Sequence, residues 1–231
     1  RHMARARQAL ESQTDRLAAS LVQLDEFAVA GLDRQAFSSL SEELALRLLR
    51  RCLMTIGGGP FAPRFERLER LCHLMMDKGF QGRRTLAGCQ IVATGPCFRI
   101  FREYRHLPAV AVKPGQVLLW DNRFRVEIKL PKGGVRKNLM VEPMGPAGWK
   151  AYGTLQQNNE TAELRTRLAG LPAAARYALP VIRHKQALIA LPWPEKAAKR
   201  PDFMFPAAFS PRNPLIHESF PVVSPAKDII Y

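Results

Sequence analysis

Residues 117–128 read Val-Leu-Leu-Trp-Asp-Asn-Arg-Phe-Arg-Val-Glu-Ile, and this stretch decides the fold class. Asp121-Asn122 is a turn dipeptide between two short apolar runs, which predicts a β-hairpin. After the turn, apolar and polar residues alternate with the period of a half-buried strand. We expect Phe124, Val126 and Ile128 on a core face, and Arg123, Arg125 and Glu127 on the opposite face. A chain that carries such a segment contains an antiparallel sheet.

The same texture extends in both directions from this hairpin. Upstream, residues 86–93 and 97–103 flank Thr94-Gly95-Pro96 as a second hairpin. Downstream, residues 139–141 resume a strand, and residues 181–191 form a third hairpin around Arg183-His184-Lys185-Gln186. Between these strands, the spacing of Leu164 and Leu168 predicts a helix. The region from Gly82 onward therefore mixes antiparallel strands with a few short helices.

The first 80 residues instead have helical spacing. Leu10, Leu17, Leu21 and Leu24 mark a first helix. The spacing Ser39-x-x-Glu42 is that of a capping box and announces a second helix, with Ser41 as a rival cap, and this helix ends at Gly57. A third helix follows Pro63 and buries Phe65, Leu68, Leu71, Cys72 and Met75 before Gly79 closes it.

The glycine run Gly57-Gly58-Gly59-Pro60 follows the second helix directly. No strand precedes it and no Lys-Ser/Thr follows it, so we interpret it as a helix C-cap and linker rather than a phosphate-binding loop.

The expected fold class is thus α+β: a small all-helical module followed by a mixed antiparallel β-sheet module with a few short helices and an extended proline-rich tail. The predicted boundaries are 1–80, 81–192 and 193–231. The last 40 residues hold eight of the 18 prolines, so we expect this tail to lie over the body. No apolar run is long enough to cross a membrane, and we expect a cytoplasmic protein.

The four cysteines have neither C-x-x-C spacing nor paired histidines, so the sequence predicts no metal site. Cys52 and Cys72 are expected to pack as small apolar residues, and all four cysteines to be free thiols.

Charge points to the class of partner. The chain has 35 Lys and Arg against 20 Asp and Glu, a net charge of +15 in 231 residues. Residues 81–150 alone carry 13 basic and 4 acidic side chains. Phosphate backbones are the commonest partners of such a field, so the charge favours nucleic acid. A solvated basic face that balances an acidic protein domain is the alternative.

Candidate contacts to RNA are the basic residues near the sheet and the third helix, because guanidinium and ammonium groups neutralise phosphates. They are Arg64, Arg67, Arg83, Arg84, Arg102, Arg105, Arg123, Arg125, Lys129, Lys132, Arg136 and Lys137. Phe98, Phe101 and Tyr104 lie among them as candidates for base stacking, with core packing as the alternative for each.

The sequence assembles no catalytic group of its own. The five histidines are isolated, and no Ser-His-carboxylate grouping or pair of acids stands out. Glu103 and Glu142 lie beside strand residues and are expected to be ion-pair partners.

Several segments together resemble one enzyme family. They are residues 57–68 (GGGPFAPRFERL), 84–89 (RTLAGC), 101–103 (FRE), 119–126 (LWDNRFRV), and 179–182 (LPVI) leading to 190–192 (ALP). In order and approximate spacing they are similar to the C-terminal half of bacterial tRNA(Ile)-lysidine synthetases of the alphaproteobacterial type, over most of residues 1–192. The proline-rich tail has no counterpart in this resemblance.

The resemblance implies a specific role. Such enzymes use ATP and magnesium to adenylate the wobble cytidine of the CAU-anticodon isoleucine tRNA, and free lysine then displaces AMP to form lysidine. The catalytic loop of the family lies in an N-terminal ATP-pyrophosphatase domain, and no such stretch occurs here. The implied chain is a tRNA-binding part with a helical substrate-binding module at 1–80 and a basic tRNA-binding module at 81–192. It would be inactive alone and would hold no cofactor or catalytic residue. Its partners would be the tRNA, the N-terminal domain and, in a homodimer, a second copy.

Two other classes stay open at this point. In the first, the chain is a non-catalytic interaction domain whose basic face docks an acidic partner. In the second, it is a stand-alone enzyme for a small acidic substrate. The second alternative would require a pocket that brings Glu103 or Glu142 together with His106.

Overall fold

The computed structural model describes residues 2–128, 138–154, 159–185, 187–190 and 207–216. These residues form seven helices and twelve strands. The helices are α1 (His2–Leu21), α2 (Arg34–Ser38), α3 (Glu42–Gly57), α4 (Phe65–Met76), α5 (Gly145–Thr154), α6 (Asn159–Ala169) and α7 (Ala173–Tyr177). The strands are β1 (Val22–Leu24), β2 (Val29–Asp33), β3 (Arg83–Leu86), β4 (Cys89–Thr94), β5 (Cys97–Arg102), β6 (Val110–Val112), β7 (Val117–Trp120), β8 (Phe124–Glu127), β9 (Leu139–Pro143), β10 (Pro180–His184), β11 (Ala187–Ala190) and β12 (Ala207–Phe209). The expected α+β class is confirmed.

The chain divides into two compact units. Among the described residues, the first comprises 2–102 and 211–216, and the second comprises the rest. Strands β3 to β5 belong to the first unit together with the four N-terminal helices, whereas the sequence places a boundary near residue 80. The physical reason is the pairing of β5 with β2, which joins the hairpin to the N-terminal segment.

The first unit is built on a five-stranded antiparallel sheet in the order β1-β2-β5-β4-β3. The β4-β5 hairpin is confirmed, whereas β1 and β2 were not predicted. Leu24 was assigned to the first helix, but that helix ends at Leu21 and Leu24 pairs with Ala30 in the sheet. Helix α3 packs on one face of the sheet, where Ile91, Phe98 and Ile100 are fully buried.

Helix α3 differs from the predicted capping box at its N-terminal end and matches the prediction at its C-terminal end. Ser41, the rival cap, is its N-cap, and Ser39 instead ends the short helix α2. At the other end Gly58 adopts the left-handed conformation at φ 65° and donates its N–H to the carbonyl of Met54. The glycine run is therefore a helix C-cap, as predicted.

Helices α1 and α3 are joined by an ion-pair network. The buried Arg51 guanidinium bonds the carboxylates of Glu11 and Asp15 on α1. Arg47 lies one turn earlier and bonds Glu11 at 2.5 Å and Glu43 at 2.6 Å. The carboxylates of α1 are therefore paired with arginines of α3.

The second unit contains two smaller antiparallel sheets, in the orders β11-β10-β9-β6 and β12-β8-β7. The predicted hairpins β7-β8 and β10-β11 are both confirmed, as are strand β9 and helix α6. Phe124, Val126 and Ile128 are fully buried, as the alternation predicts.

The described tail residues, 207–216, contact other residues of the unit to which they belong. In the second unit, β12 pairs with β8 along residues 207–209. In the first, Asn213 donates its side-chain amide to the carbonyl of Gly59 at 3.2 Å, and Leu215 is buried. The remaining tail residues, 193–206 and 217–231, lie outside the described residues.

The four cysteines, all described, are free thiols. Cys52 and Cys72 are buried, as predicted, and burial raises the pKa of each thiol from 9.0 to about 12. Across the described ranges, no group of three or more His, Cys, Asp or Glu side chains is arranged to hold a metal ion. Within the same ranges no helix has the length and apolar content needed to cross a bilayer.

We expect Arg51→Ala to lower the free energy of unfolding by about 2–3 kcal/mol, because it removes the guanidinium that joins Glu11 to Asp15 and leaves Arg47 as the described arginine that still bonds Glu11. The neighbouring Arg50 is exposed, so Arg50→Ala is the matched control and should change stability by less than about 0.5 kcal/mol. Urea denaturation of both variants measures the difference. Equal stability of the two variants would contradict the structural role of the network.

We expect one thiol to react quickly with a disulfide reagent at pH 8. Cys97 is half-buried, whereas a pKa of about 12 leaves roughly one Cys52 or Cys72 thiol in 10⁴ ionised at that pH. Cys97→Ser should remove the fast phase, and unfolding in urea should expose the rest. Because the unfolded thiols ionise near pH 9 and the folded ones do not, stability should also fall as the pH rises from about 9 to 12. Fast labelling of Cys52 in the folded chain would refute this assignment.

Candidate nucleic-acid interface

The outer face of the five-stranded sheet carries two aligned arginines. Strand register pairs Arg83 with Val92, Val92 with Arg99, and Arg99 with Gly31, so these four residues form one row across four strands. Side chains of a row project to the same side, and two strand spacings place Arg83 and Arg99 about 10 Å apart. Both are exposed.

One carboxylate lies on this face near the two arginines: Asp33 ends the row Thr94, Cys97 and Asp33, is exposed, and accepts the backbone N–H of Ala36 at 2.7 Å. The row on the other side of the two arginines is Thr85, Gln90, Phe101 and Val29, which holds polar or apolar side chains only. The opposite face carries Ile91 and Ile100 against α3. The sheet thus buries Ile91 and Ile100 on the side of α3, whereas its other side buries Phe101 and Val29 and leaves Arg83, Thr85 and Arg99 exposed. We call the polar part of this other side the outer basic face (Arg83, Thr85, Gln90, Arg99).

Two other predicted contacts on these strands are partly engaged with the protein. Arg84 is exposed but lies 5.3 Å over the ring of Phe80 and donates to the carbonyl of Arg83. Arg102 is half-buried and donates to the carbonyl of Gly88 at 2.9 Å. Arg102 therefore supports the β3-β4 turn.

Helix α4 presents further basic residues in the first unit. Arg64 is its N-cap and Arg67 lies in its first turn, and both are exposed. The opposite side of the helix buries Leu68, Leu71 and Cys72. The helix therefore has an apolar side in the core and arginines on its solvent side.

In the second unit, Arg105 and Arg125 are exposed. Register places Arg125 between Leu119 of β7 and Ala208 of β12, on the outward side of the three-stranded sheet. Lys129, Lys132, Arg136 and Lys137, the predicted basic loop, lie outside the described residues.

Arg123 contradicts the predicted exposure. Only 1% of it is accessible. Its Nε donates to Asp121 at 2.6 Å, one terminal nitrogen donates to the carbonyl of Ala178 at 3.3 Å, and its guanidinium lies 5.2 Å from the ring centroid of Phe124. The expectation of a surface arginine is wrong because this charge is neutralised inside the second unit. Arg123 is therefore left out of the interface.

The predicted stacking aromatics are mostly core residues. Phe98 is fully buried against Phe37 and Phe80, and Phe101 is buried as well. Tyr104 is half-buried and packs edge-on against Tyr177 with ring centroids 5.6 Å apart. Core packing is thus the correct alternative for Phe98 and Phe101.

Three exposed residues of the first unit, Arg99, Phe61 and Phe65, were not predicted from the sequence to lie at the surface. Arg99 alternates with buried Phe98 and Ile100, and this alternation was the signal that could have found it. Phe61 and Phe65 are 84% and 57% exposed, although Phe65 was expected on the buried side of its helix. That prediction was wrong because Phe65 is the first residue of α4, one turn before the buried stripe begins at Leu68.

Glu142 has the role expected of it. Its carboxylate bonds the Arg183 guanidinium at 2.5 Å on the neighbouring strand. The glycine run does not fit a nucleotide, because Gly58 donates its N–H to Met54 and Gly59 accepts from Asn213. The glycine run is therefore engaged within the first unit and does not form a phosphate-binding loop.

Comparison with curated proteins places these features in a family. The chain is 32% identical over 192 residues to a tRNA(Ile)-lysidine synthase of Ruegeria pomeroyi. This match covers 83% of the chain and 40% of the relative. The chain belongs to the tRNA(Ile)-lysidine synthase family. A relative of the same name from Rickettsia bellii is 26% identical over 75% of the chain, and one from Wolbachia pipientis wMel is 31% identical over 55%. A scan of protein-family models finds no match.

The chain spans about two fifths of the length of its first relatives, 40% of one and 39% of another. The resemblance to a C-terminal portion of tRNA(Ile)-lysidine synthases of the alphaproteobacterial type is confirmed. The quoted segment 119–126 forms the β7-β8 turn around Arg123, and segment 84–89 forms the β3-β4 turn. Each of these segments thus contains a turn between two neighbouring strands of one unit.

We expect Arg123→Ala to destabilise the second unit by about 3 kcal/mol, because it leaves the Asp121 carboxylate and the Ala178 carbonyl without this donor. The matched control is Arg125→Ala, two residues further along and exposed, with an expected change below about 0.5 kcal/mol. Thermal unfolding followed by near-ultraviolet circular dichroism measures both. A stable Arg123→Ala variant with weakened RNA binding would show instead that Arg123 contacts the ligand.

Proposed function

We propose that this chain is the tRNA-binding C-terminal part of a tRNA(Ile)-lysidine synthase and that it positions the CAU-anticodon isoleucine tRNA for modification. The family membership supports the substrate, because the relatives are named for this tRNA. The outer basic face supports the mode of binding. The alignment of the exposed Arg83 and Arg99 in one row of the sheet is the single observation on which the proposal rests most heavily.

In the proposed full-length enzyme, ATP activates the wobble cytidine and lysine is ligated to it with loss of AMP. The chain described here would take no part in bond making. We assign ATP and magnesium to the N-terminal ATP-pyrophosphatase domain that the family resemblance implies. Its own residues would bind the tRNA backbone and hold it while another domain acts on one base.

The recognition is proposed to follow shape and phosphates. A-form RNA presents phosphates and 2′-hydroxyls more accessibly than base edges. Arginines on a rigid sheet, with the polar Thr85 and Gln90 beside them, suit such contacts because their positions are set by strand register. The exposed Arg64 and Arg67 of α4 add to the positive charge of the same unit.

A second candidate role has an observation in its favour. Val117 and Leu119 are 38% and 41% exposed on the outward side of the three-stranded sheet, where Val117 pairs with Glu127 and Leu119 pairs with Arg125. Exposed apolar residues next to a basic one suit a protein surface that is itself partly acidic. Docking of an acidic protein partner on this sheet is the alternative function.

We expect the chain to bind a CAU-anticodon isoleucine tRNA transcript with an affinity that falls steeply with salt. Arg83→Gln and Arg99→Gln should each weaken binding, because each removes one phosphate contact. Each should also make the negative slope of log K against log salt shallower by about one. Filter binding across a salt series measures both quantities. Arg16→Gln, which removes an exposed arginine of α1, is the control and should leave the slope unchanged.

A flat salt response of the unaltered chain would overturn the proposal. Equal slopes for the unaltered chain and for the Arg83 and Arg99 variants would remove the outer basic face from it. If Arg125→Glu with Leu119→Ala abolishes capture of an acidic protein domain while tRNA binding is absent throughout, the alternative function is favoured.

A further inference from the structure

Two phenylalanines on the first unit are exposed without an evident structural reason. Phe61 is 84% accessible and Phe65 is 57% accessible. The other aromatic side chains within the described ranges are buried or half-buried. Two exposed rings four residues apart leave apolar area in water on one surface segment, which is available for contact with another molecule.

The segment that carries Phe61 is held rigidly. A Cβ on Gly57 would lie 2.5 Å from the carbonyl oxygen of Ala87, so the chain leaves α3 in close contact with the β3-β4 turn. Asn213 then bonds the carbonyl of Gly59. Pro60 and Pro63 bracket Phe61 and restrict the backbone further. The ring therefore lies on a segment that has little conformational entropy left to lose on binding, which favours affinity.

Three exposed arginines lie near the two rings in the chain or near the segment that carries them, together with one exposed acidic residue, Glu66. Arg64 is exposed, lies between them in sequence and caps the helix that Phe65 begins. Arg67 follows on the exposed side of the same helix. Arg212 is also exposed and is adjacent to Asn213, the residue that bonds Gly59. A surface that combines aromatic faces with guanidinium groups is complementary to a nucleotide, which has a π face and a phosphate.

We propose that Phe61 and Phe65, together with Arg64, form a binding site for an unpaired nucleotide of RNA. An aromatic ring stacks on the base and the Arg64 guanidinium neutralises the adjacent phosphate. Bases in a duplex stack on one another and hide their faces, so the site selects single-stranded or looped RNA. This inference rests on the proposed function for the identity of the tRNA, whereas the preference for unpaired nucleotides applies to any RNA.

The test measures binding of the full 231-residue chain to three fluorescent RNAs: the CAU-anticodon isoleucine tRNA transcript, a single-stranded oligouridine and an RNA duplex. Phe61→Ala and Phe65→Ala should each weaken binding to the first two about tenfold, the effect of losing one base stack, and leave duplex binding unchanged. Because stacking releases no counterions, these variants should keep the salt slope of the parent. Arg64→Gln should lower that slope by about one.

Matched variants separate stacking from general stickiness and from unfolding. Phe61→Tyr keeps the aromatic face and should bind like the parent, whereas Phe61→Leu keeps apolar area and should bind like Phe61→Ala. Met3→Ala removes an apolar side chain of similar exposure, 85%, and should change nothing. Thermal unfolding of the Phe61 variants should match the parent, because the ring is exposed.

Each outcome decides. If the Phe61 and Phe65 variants bind all three RNAs like the parent, the nucleotide site is overturned. An equal loss on the duplex overturns the preference for unpaired nucleotides. If the parent binds oligouridine through these residues but not the tRNA transcript, the proposed function fails while the site stands. Binding to none of the three overturns both.

Discussion

The close contact between the end of α3 and the β3-β4 turn is the constraint on which the first unit depends. No side chain larger than hydrogen fits at Gly57, because the carbonyl of Ala87 occupies the space of a Cβ. The thiol of Cys89 lies beside it and reaches the carbonyl of Leu53 at 3.5 Å. Helix and sheet therefore meet at one point with little freedom. The direction of the following segment, with Phe61 and Arg64, is set relative to the strand that carries Arg83.

Internal pairing divides the large positive charge into two populations. Arg51, Arg123 and Arg183 are held against carboxylates and carbonyl oxygens, where they join helices or strands. Arg83, Arg99 and Arg64 instead lie exposed on regular elements whose other sides are apolar. A buried arginine needs a partner to offset desolvation, whereas an exposed one on a rigid scaffold keeps its charge available to a ligand. The net charge of +15 thus overstates the number of side chains that can contact RNA.

Local patterns predicted much of the fold because they depend on local physics. Alternation and turn dipeptides identified the β4-β5, β7-β8 and β10-β11 hairpins, and leucine spacing identified α1, α3 and α4. Strand β2 was missed because Ala28 to Gly31 are small residues without alternation, and its pairing with β5 is a tertiary choice. Arg123 was misplaced for a similar reason: its acceptor, Ala178, is 55 residues away. Of the interface, Arg83 was found by type and Arg99 was missed, since only the register brings them into one row.

The two features of the first unit act through different physics, and this difference bears on how one nucleotide among many is selected. In the proposed interface, phosphate contacts from the outer basic face would hold any A-form backbone and weaken with salt, so they would position RNA without choosing a base. Stacking on Phe61 or Phe65 needs a base that has left its helix, and it depends little on salt. A loop nucleotide satisfies both conditions where a stem satisfies only the first. An enzyme that modifies a base in an anticodon loop gains from a substrate-binding part that distinguishes looped from paired RNA, because the chemistry needs an unstacked base.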